Sequence, residues 1–193
     1  MQEVEVAFKI KQTQKESEKL LSSFGYKLFH KAKTHDLYFA KIKLTPEMTE
    51  QQLKFNCIRL RFSNNNLSFN NFNLFDKTKK DFSCNKKEAK KILKQLKQNG
   101  FKKVFDTFKT DYVYNKNNSY HQLQNIKKIG LLDYFYNEDI FSLSPQKQYE
   151  NLKQEMLNIG FELQYSDGVD KLRSLLSKKL CFSKNQNGDY NKK

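Results

Sequence analysis

The chain has 193 residues, with 36 Lys+Arg against 21 Asp+Glu, a formal net charge of +15, and 37% hydrophobic residues of which aromatics make up a large share. That is enough apolar material for a well-buried core, so a disordered chain is excluded, and the positive balance predicts attraction to polyanions such as nucleotides, polyphosphate or nucleic acid. Cys57, Cys84 and Cys181 are odd in number and lack CxxC spacing, which argues against a disulfide framework or a zinc site; no apolar run reaches the roughly 18 residues of a membrane span, and a start of Met1-Gln2-Glu3 predicts a soluble, reducing, cytoplasmic setting.

The first element is a strand, Glu3 to Ile10. Side chains alternate along a strand, so Val4, Val6, Phe8 and Ile10 form an apolar face while Glu3, Glu5, Ala7 and Lys9 line the other. Thr13 to Ser23 reads as a short helix that stops before Gly25. Tyr26 to Phe29 and Asp36 to Leu44 read as two strands, followed by a helical turn at Thr45-Pro46. Phe55 to Phe62 alternates again, placing Arg59 and Arg61 on one face, and Leu67 to Phe75 returns to complete a hairpin.

Asn85 to Asn99 is the clearest helix, with Asn85 as cap, Ala89, Ile92, Leu93 and Leu96 as its apolar stripe and Gly100 at its end. Strands are predicted at Phe101 to Phe105, Phe108 to Tyr114, Tyr120 to Ile126 and Leu131 to Tyr136. A helix then runs from Ser144-Pro145 to Gly160, a short strand from Phe161 to Gln164 and a last helix from Val169 to Leu180. Residues 1–182 form one predicted domain; residues 183–193 have no periodicity and read as a flexible basic tail.

An internal repeat runs through this order. Gly25 precedes Asp36 by 36 − 25 = 11 residues and Gly100 precedes Asp111 by 111 − 100 = 11, at a common offset of 100 − 25 = 75. Each half supplies a helix, a glycine and aromatic strands. Two such halves predict an α+β fold whose antiparallel strands, about eight in number, close or nearly close into a barrel around a tunnel, with the helices packed outside.

The strand motifs resemble those of the CYTH domains, which include class IV adenylyl cyclases, thiamine triphosphatases and tripolyphosphatases among the triphosphate tunnel enzymes. Glu3-Val4-Glu5-Val6-Ala7-Phe8-Lys9 is similar to the opening ExExK strand, with Ala7 at the lysine position; Asp36, Tyr38 and Phe39 match a QxDxYF strand; Arg59-Leu60-Arg61 matches RxR. Further along, the family's next lysine falls at Asn70, its KxR pair at Thr107 and Lys109, and its closing glutamates at Tyr134 and Tyr136.

This resemblance implies a tunnel that binds a nucleoside triphosphate, thiamine triphosphate or tripolyphosphate. A triphosphate carries about four negative charges, which calls for several fixed cations, arginine above all for its forked geometry. Lys9, Lys41, Lys43, Arg59, Arg61 and Lys109 are the implied phosphate-binding residues. Glu3 and Glu5 are the implied ligands of Mg²⁺ or Mn²⁺, joined by Glu138 if the last strand extends that far; a one-residue shift would instead turn Asp133 inward. The departures at Ala7, Asn70, Thr107, Tyr134 and Tyr136 imply weakened phosphohydrolase or adenylyl cyclase-type chemistry, and no residue is assigned a catalytic role. Three classes stay open: a metal-dependent enzyme, a catalytically inactive sensor or regulatory subunit that still binds triphosphate, and a basic nucleic-acid-binding module.

Overall fold

A computed structural model describes residues 6–48, 52–53, 56–63, 66–72, 79–127, 129–165, 168–169 and 174–176. Eight strands and three α-helices alternate in the order β1 (Val6–Lys9), α1 (Gln14–Ser23), β2 (Lys27–Ala40), β3 (Ile58–Ser63), β4 (Asn66–Phe72), β5 (Lys79–Cys84), α2 (Lys86–Gln98), β6 (Lys102–Lys116), β7 (Ser119–Ile126), β8 (Gly130–Asn137) and α3 (Pro145–Ile159), with a 3₁₀ turn at Glu138–Ile140. The strands form one sheet in the order β1-β8-β7-β6-β2-β3-β4-β5. The fold is therefore α+β around an antiparallel sheet, as expected. No pairing of β1 with β5 is present among the described residues, so closure into a barrel is not part of the observed architecture.

The repeat is visible in the elements. Each helix begins at a capping box, Thr13 with Glu16 and Asn85 with Glu88, in which the cap side chain accepts from a first-turn amide while the glutamate accepts from the cap's own N–H. Each ends on a glycine with positive φ, +84° at Gly25 and +80° at Gly100, a conformation that costs a side-chain-bearing residue energy. A long strand follows each: β2 begins at Lys27 and β6 at Lys102, again 102 − 27 = 75 apart. If β1 to β4 are matched with β5 to β8, the strand order reads the same after the exchange.

Both long strands were expected as two shorter ones. In fact β2 is continuous for 14 residues and β6 for 15. The alternation is unbroken through the gaps, but its buried positions there are Ala32 and Thr34 in β2, and Thr107 in β6. Small or polar inward residues give no hydrophobic signal. Strand β5 was not expected at all, and β2 ends at Ala40, short of the predicted Leu44. Of the predicted final helix, residues 174–176 are helical, whereas Val169 donates its N–H to the Ala7 carbonyl as a β-bridge; the predicted tail lies outside the described residues.

The chain divides into two compact units. Unit 1 takes Met1–Lys31 and Asp111–Lys171 with the C-terminal stretch, and its core gathers Phe8, Leu21, Tyr114, Leu123, Phe135, Leu152 and Met156 from strands and from helices α1 and α3. Unit 2 takes Ala32–Thr110 and Leu172–Leu180. Its strands pack Phe39, Ile58 and Leu60 against Ala89 and Leu96 of α2, while a second cluster, Tyr38, Ala40, Leu44, Leu53 and Cys57, gathers around the end of β2.

Candidate phosphate-binding face

Strands β2 and β3 pair antiparallel with Asp36 directly opposite Arg61 and Tyr38 directly opposite Arg59. Opposite residues point to the same side of a sheet, so these four form two rungs on one face of unit 2. The other face of the same strands carries Phe39, Ile58 and Leu60 into the α2 core. On the first rung the Arg61 guanidinium meets the Asp36 carboxylate through two bonds, Nε to Oδ1 and Nη2 to Oδ2, each 2.7 Å. Asp36 is wholly buried and the Arg61 side chain is 24% exposed. A buried carboxylate needs such a partner, because an isolated charge removed from water is strongly disfavoured.

On the second rung Arg59 stands directly opposite Tyr38, within electrostatic reach of its hydroxyl. Burial is the main reason the Tyr38 phenol is pushed up to about 12; Asp36 adds to the shift and Arg59 and Arg61 oppose it. The Tyr38 ring stacks on Phe105 of β6, with centroids 4.4 Å apart, which places Phe105 on the same face. Alternation along β6 then puts Thr107 and Lys109 on that face too, and both are buried. The Thr107 hydroxyl makes no hydrogen bond among the described residues. Unit 2 thus places Arg59, Arg61, Lys109 and Thr107 on one face of its sheet.

The other expected residues lie elsewhere. Lys41 and Lys43 follow the end of β2 and are exposed, with the Lys41 ammonium 5.0 Å from the centroid of Phe101. Lys9 belongs to unit 1, where its ammonium donates to the Ile129 carbonyl beside the β7–β8 turn; burial lowers its pKa. Glu3 and Glu5 lie outside the described residues. Glu138 depended on an extension of β8, but that strand ends at Asn137 and Glu138 opens the exposed 3₁₀ turn. Asn137 accepts from the Asp139 N–H there and so turns the chain out of the ladder.

Unit 1 distributes its polar groups differently. Ala7 of β1 stands directly opposite Tyr134 of β8, which in turn faces Gln122 of β7. On the neighbouring pair, Tyr120 and Tyr136 stack at 4.8 Å, and Gln122 donates to the Asp111 carboxylate. Asp133 does not turn toward this side. It lies opposite Leu123 and Phe8, both members of the unit 1 core, and its Oδ2 is 2.7 Å from His121 Nδ1. Both residues are fully buried, the imidazole stacks on Phe135 at 4.0 Å, and His121 Nε2 and Asp133 Oδ1 have no partner among the described residues. Neither this pair nor the engagement of Arg61 by Asp36 was visible in the sequence, because each joins residues on different strands through register alone.

No family model matches the sequence, and no curated protein matches it. Solved structures do match by fold. A candidate adenylate cyclase from Vibrio parahaemolyticus aligns with a TM-score of 0.61 and 12% identity, over 91% of this chain and 97% of that one. A candidate adenylyl cyclase from Hippeastrum, described as having a dominant triphosphatase activity, gives 0.59 and 14% over 93% and 98%. A protein from Pyrococcus horikoshii gives 0.57 and 19% over 91% and 100%. At these identities the likeness establishes the fold alone, one that this chain shares with the two cyclase-named structures, consistent with the resemblance that the strand motifs carry.

Proposed function

We propose that this chain binds a triphosphate-containing small molecule, a nucleoside triphosphate, thiamine triphosphate or tripolyphosphate, on the unit 2 face built from Arg59, Arg61, Lys109 and Thr107. The observation that carries this reading is the convergence of those three cations on one side of β2, β3 and β6 beside a buried hydroxyl without a partner among the described residues. Guanidinium groups match phosphate oxygens with forked donors, and a buried site strengthens each contact by excluding water. The names of the Vibrio and Hippeastrum proteins point to the same chemistry. A single domain spanning residues 1–182 belongs to this proposal, supported by the matching element order of its two halves.

Phosphohydrolase or cyclase chemistry of this kind uses Mg²⁺ or Mn²⁺ to offset charge on the phosphates. The described residues do not fit a resident divalent ion: no group of three His, Cys, Asp or Glu occurs among them, Glu138 is exposed, and Asp111 accepts from Gln122. A specific observation favours the regulatory or sensor reading over the enzyme. The lysine position of the first strand and a glutamate position of the last are directly paired, and this chain fills that pair with Ala7 and Tyr134.

Titration of tripolyphosphate into the wild-type chain and into Arg59→Ala tests binding, with saturable binding expected for the first and at least a tenfold loss for the second. Equal affinity in the two would overturn the assignment. Release of phosphate or formation of cyclic nucleotide from tripolyphosphate, ATP or thiamine triphosphate with Mg²⁺ or Mn²⁺ separates enzyme from binder; no turnover with binding intact supports the sensor.

A further inference from the structure

The geometry points to Asp36 and Tyr38 as positioning residues, held on β2 to set the two β3 guanidinium groups for phosphate; this rests on the reading of the site given above. The two rungs are matched. Each arginine stands directly opposite one acceptor of the neighbouring strand, Arg61 opposite Asp36 and Arg59 opposite Tyr38. An arginine side chain has many rotamers, and fixing it in advance reduces the ordering that ligand binding would otherwise demand. On the Arg61 rung the fork is held by one edge, Nε and Nη2, through two bonds of 2.7 Å to a carboxylate that is itself fully buried. A guanidinium has five N–H groups, and a carboxylate gripping two of them along one edge fixes the plane in which the remaining three must lie.

The acceptors are rigidly placed. Tyr38 is locked by its stack on Phe105 and by membership of the buried cluster with Ala40, Leu44 and Leu53. Asp36 sits mid-strand at a position with no exposed surface. The two rungs also differ in charge: Arg61 faces a carboxylate, whereas Arg59 faces a neutral phenol. Asp36 therefore lowers the face's attraction for anions while improving its geometry, and the two effects predict opposite results when it is neutralised.

The experiment uses Asp36→Asn and Tyr38→Phe, both near-isosteric, with thermal melts to establish that each folds. Tripolyphosphate affinity is measured by calorimetry across a salt series, and the ¹⁵Nε–Hε signals of the arginines are recorded without ligand. If positioning dominates, affinity falls about tenfold in Asp36→Asn and about threefold in Tyr38→Phe, as loss of a charge-assisted hydrogen bond and of a contact to a neutral hydroxyl would give. The salt dependence stays close to that of the wild type because no cation is removed, and the Hε signal of the affected arginine broadens or disappears. A rise in affinity with a steeper salt dependence in Asp36→Asn shows that charge alone acts and overturns the inference, as does unchanged affinity in both variants. Wild-type protein that fails to bind tripolyphosphate brings down the functional reading, and this inference with it, a result distinct from either of those.

Discussion

The two units use the same device, an antiparallel sheet with one face covered by helices, but unit 1 places a buried polar pair on the helix-covered side, whereas unit 2 keeps that side apolar. In unit 1 the buried pair His121–Asp133 lies among core residues on the helix-covered side, while the polar side carries tyrosines and glutamines. In unit 2 the helix-covered side is apolar and the buried carboxylate, Asp36, lies on the other face with its arginine. Asp36 and Asp111 are repeat equivalents, 111 − 36 = 75 residues apart and both buried, yet Asp36 grips a guanidinium and Asp111 accepts from an amide. Duplication supplied a common frame; the partner on the next strand decides whether each aspartate serves a cationic site.

This contrast can be broken at its strongest point in unit 1. His121→Ala strands a buried carboxylate and removes a stacked ring, so a loss of about 3 kcal/mol or more in unfolding free energy is expected from urea denaturation, because removing one partner of a buried pair leaves the other uncompensated. Residual folded protein should retain tripolyphosphate affinity, since the pair does not belong to the proposed binding face. In unit 2 the largest effect should be on binding: Lys109→Met removes a buried cation of that face and is expected to weaken tripolyphosphate at least tenfold in calorimetry.

A smaller test compares the helix starts. Thr13→Ala and Asn85→Ala each remove a cap from equivalent capping boxes and should each cost about 1 kcal/mol of stability. Unequal losses measured in denaturant would show that the two copies no longer depend on their helices alike. The remaining effect is alkaline. Tyr38 is pushed from 10 up to about 12 in the folded chain, so between those values the unfolded state loses its phenolic proton first and stability falls as pH rises. Its contribution is fully present below pH 10, and Tyr38→Phe should flatten that part of the stability profile measured by thermal unfolding.

Much of the frame was legible in the chain. Caps such as Thr13 and Asn85, glycines such as Gly25 and Gly100, and the alternation around Arg59 and Arg61 act locally, and local signals survive in sequence. The 75-residue offset located the two halves before any pairing was known. The full length of β2 and β6 is hidden in the sequence because Thr34 and Thr107 are polar residues at buried positions, so the periodicity carries no apolar signal there.

What the sequence determined by itself was the set of elements, the repeat and the kinds of charge available. Which charges meet was decided only by tertiary structure. Arg61 reaches Asp36 across 25 residues and His121 reaches Asp133 across 12, through strand registers fixed by whole hydrophobic faces seeking cover. A one-residue slip in either ladder would reverse those faces without altering a single local motif.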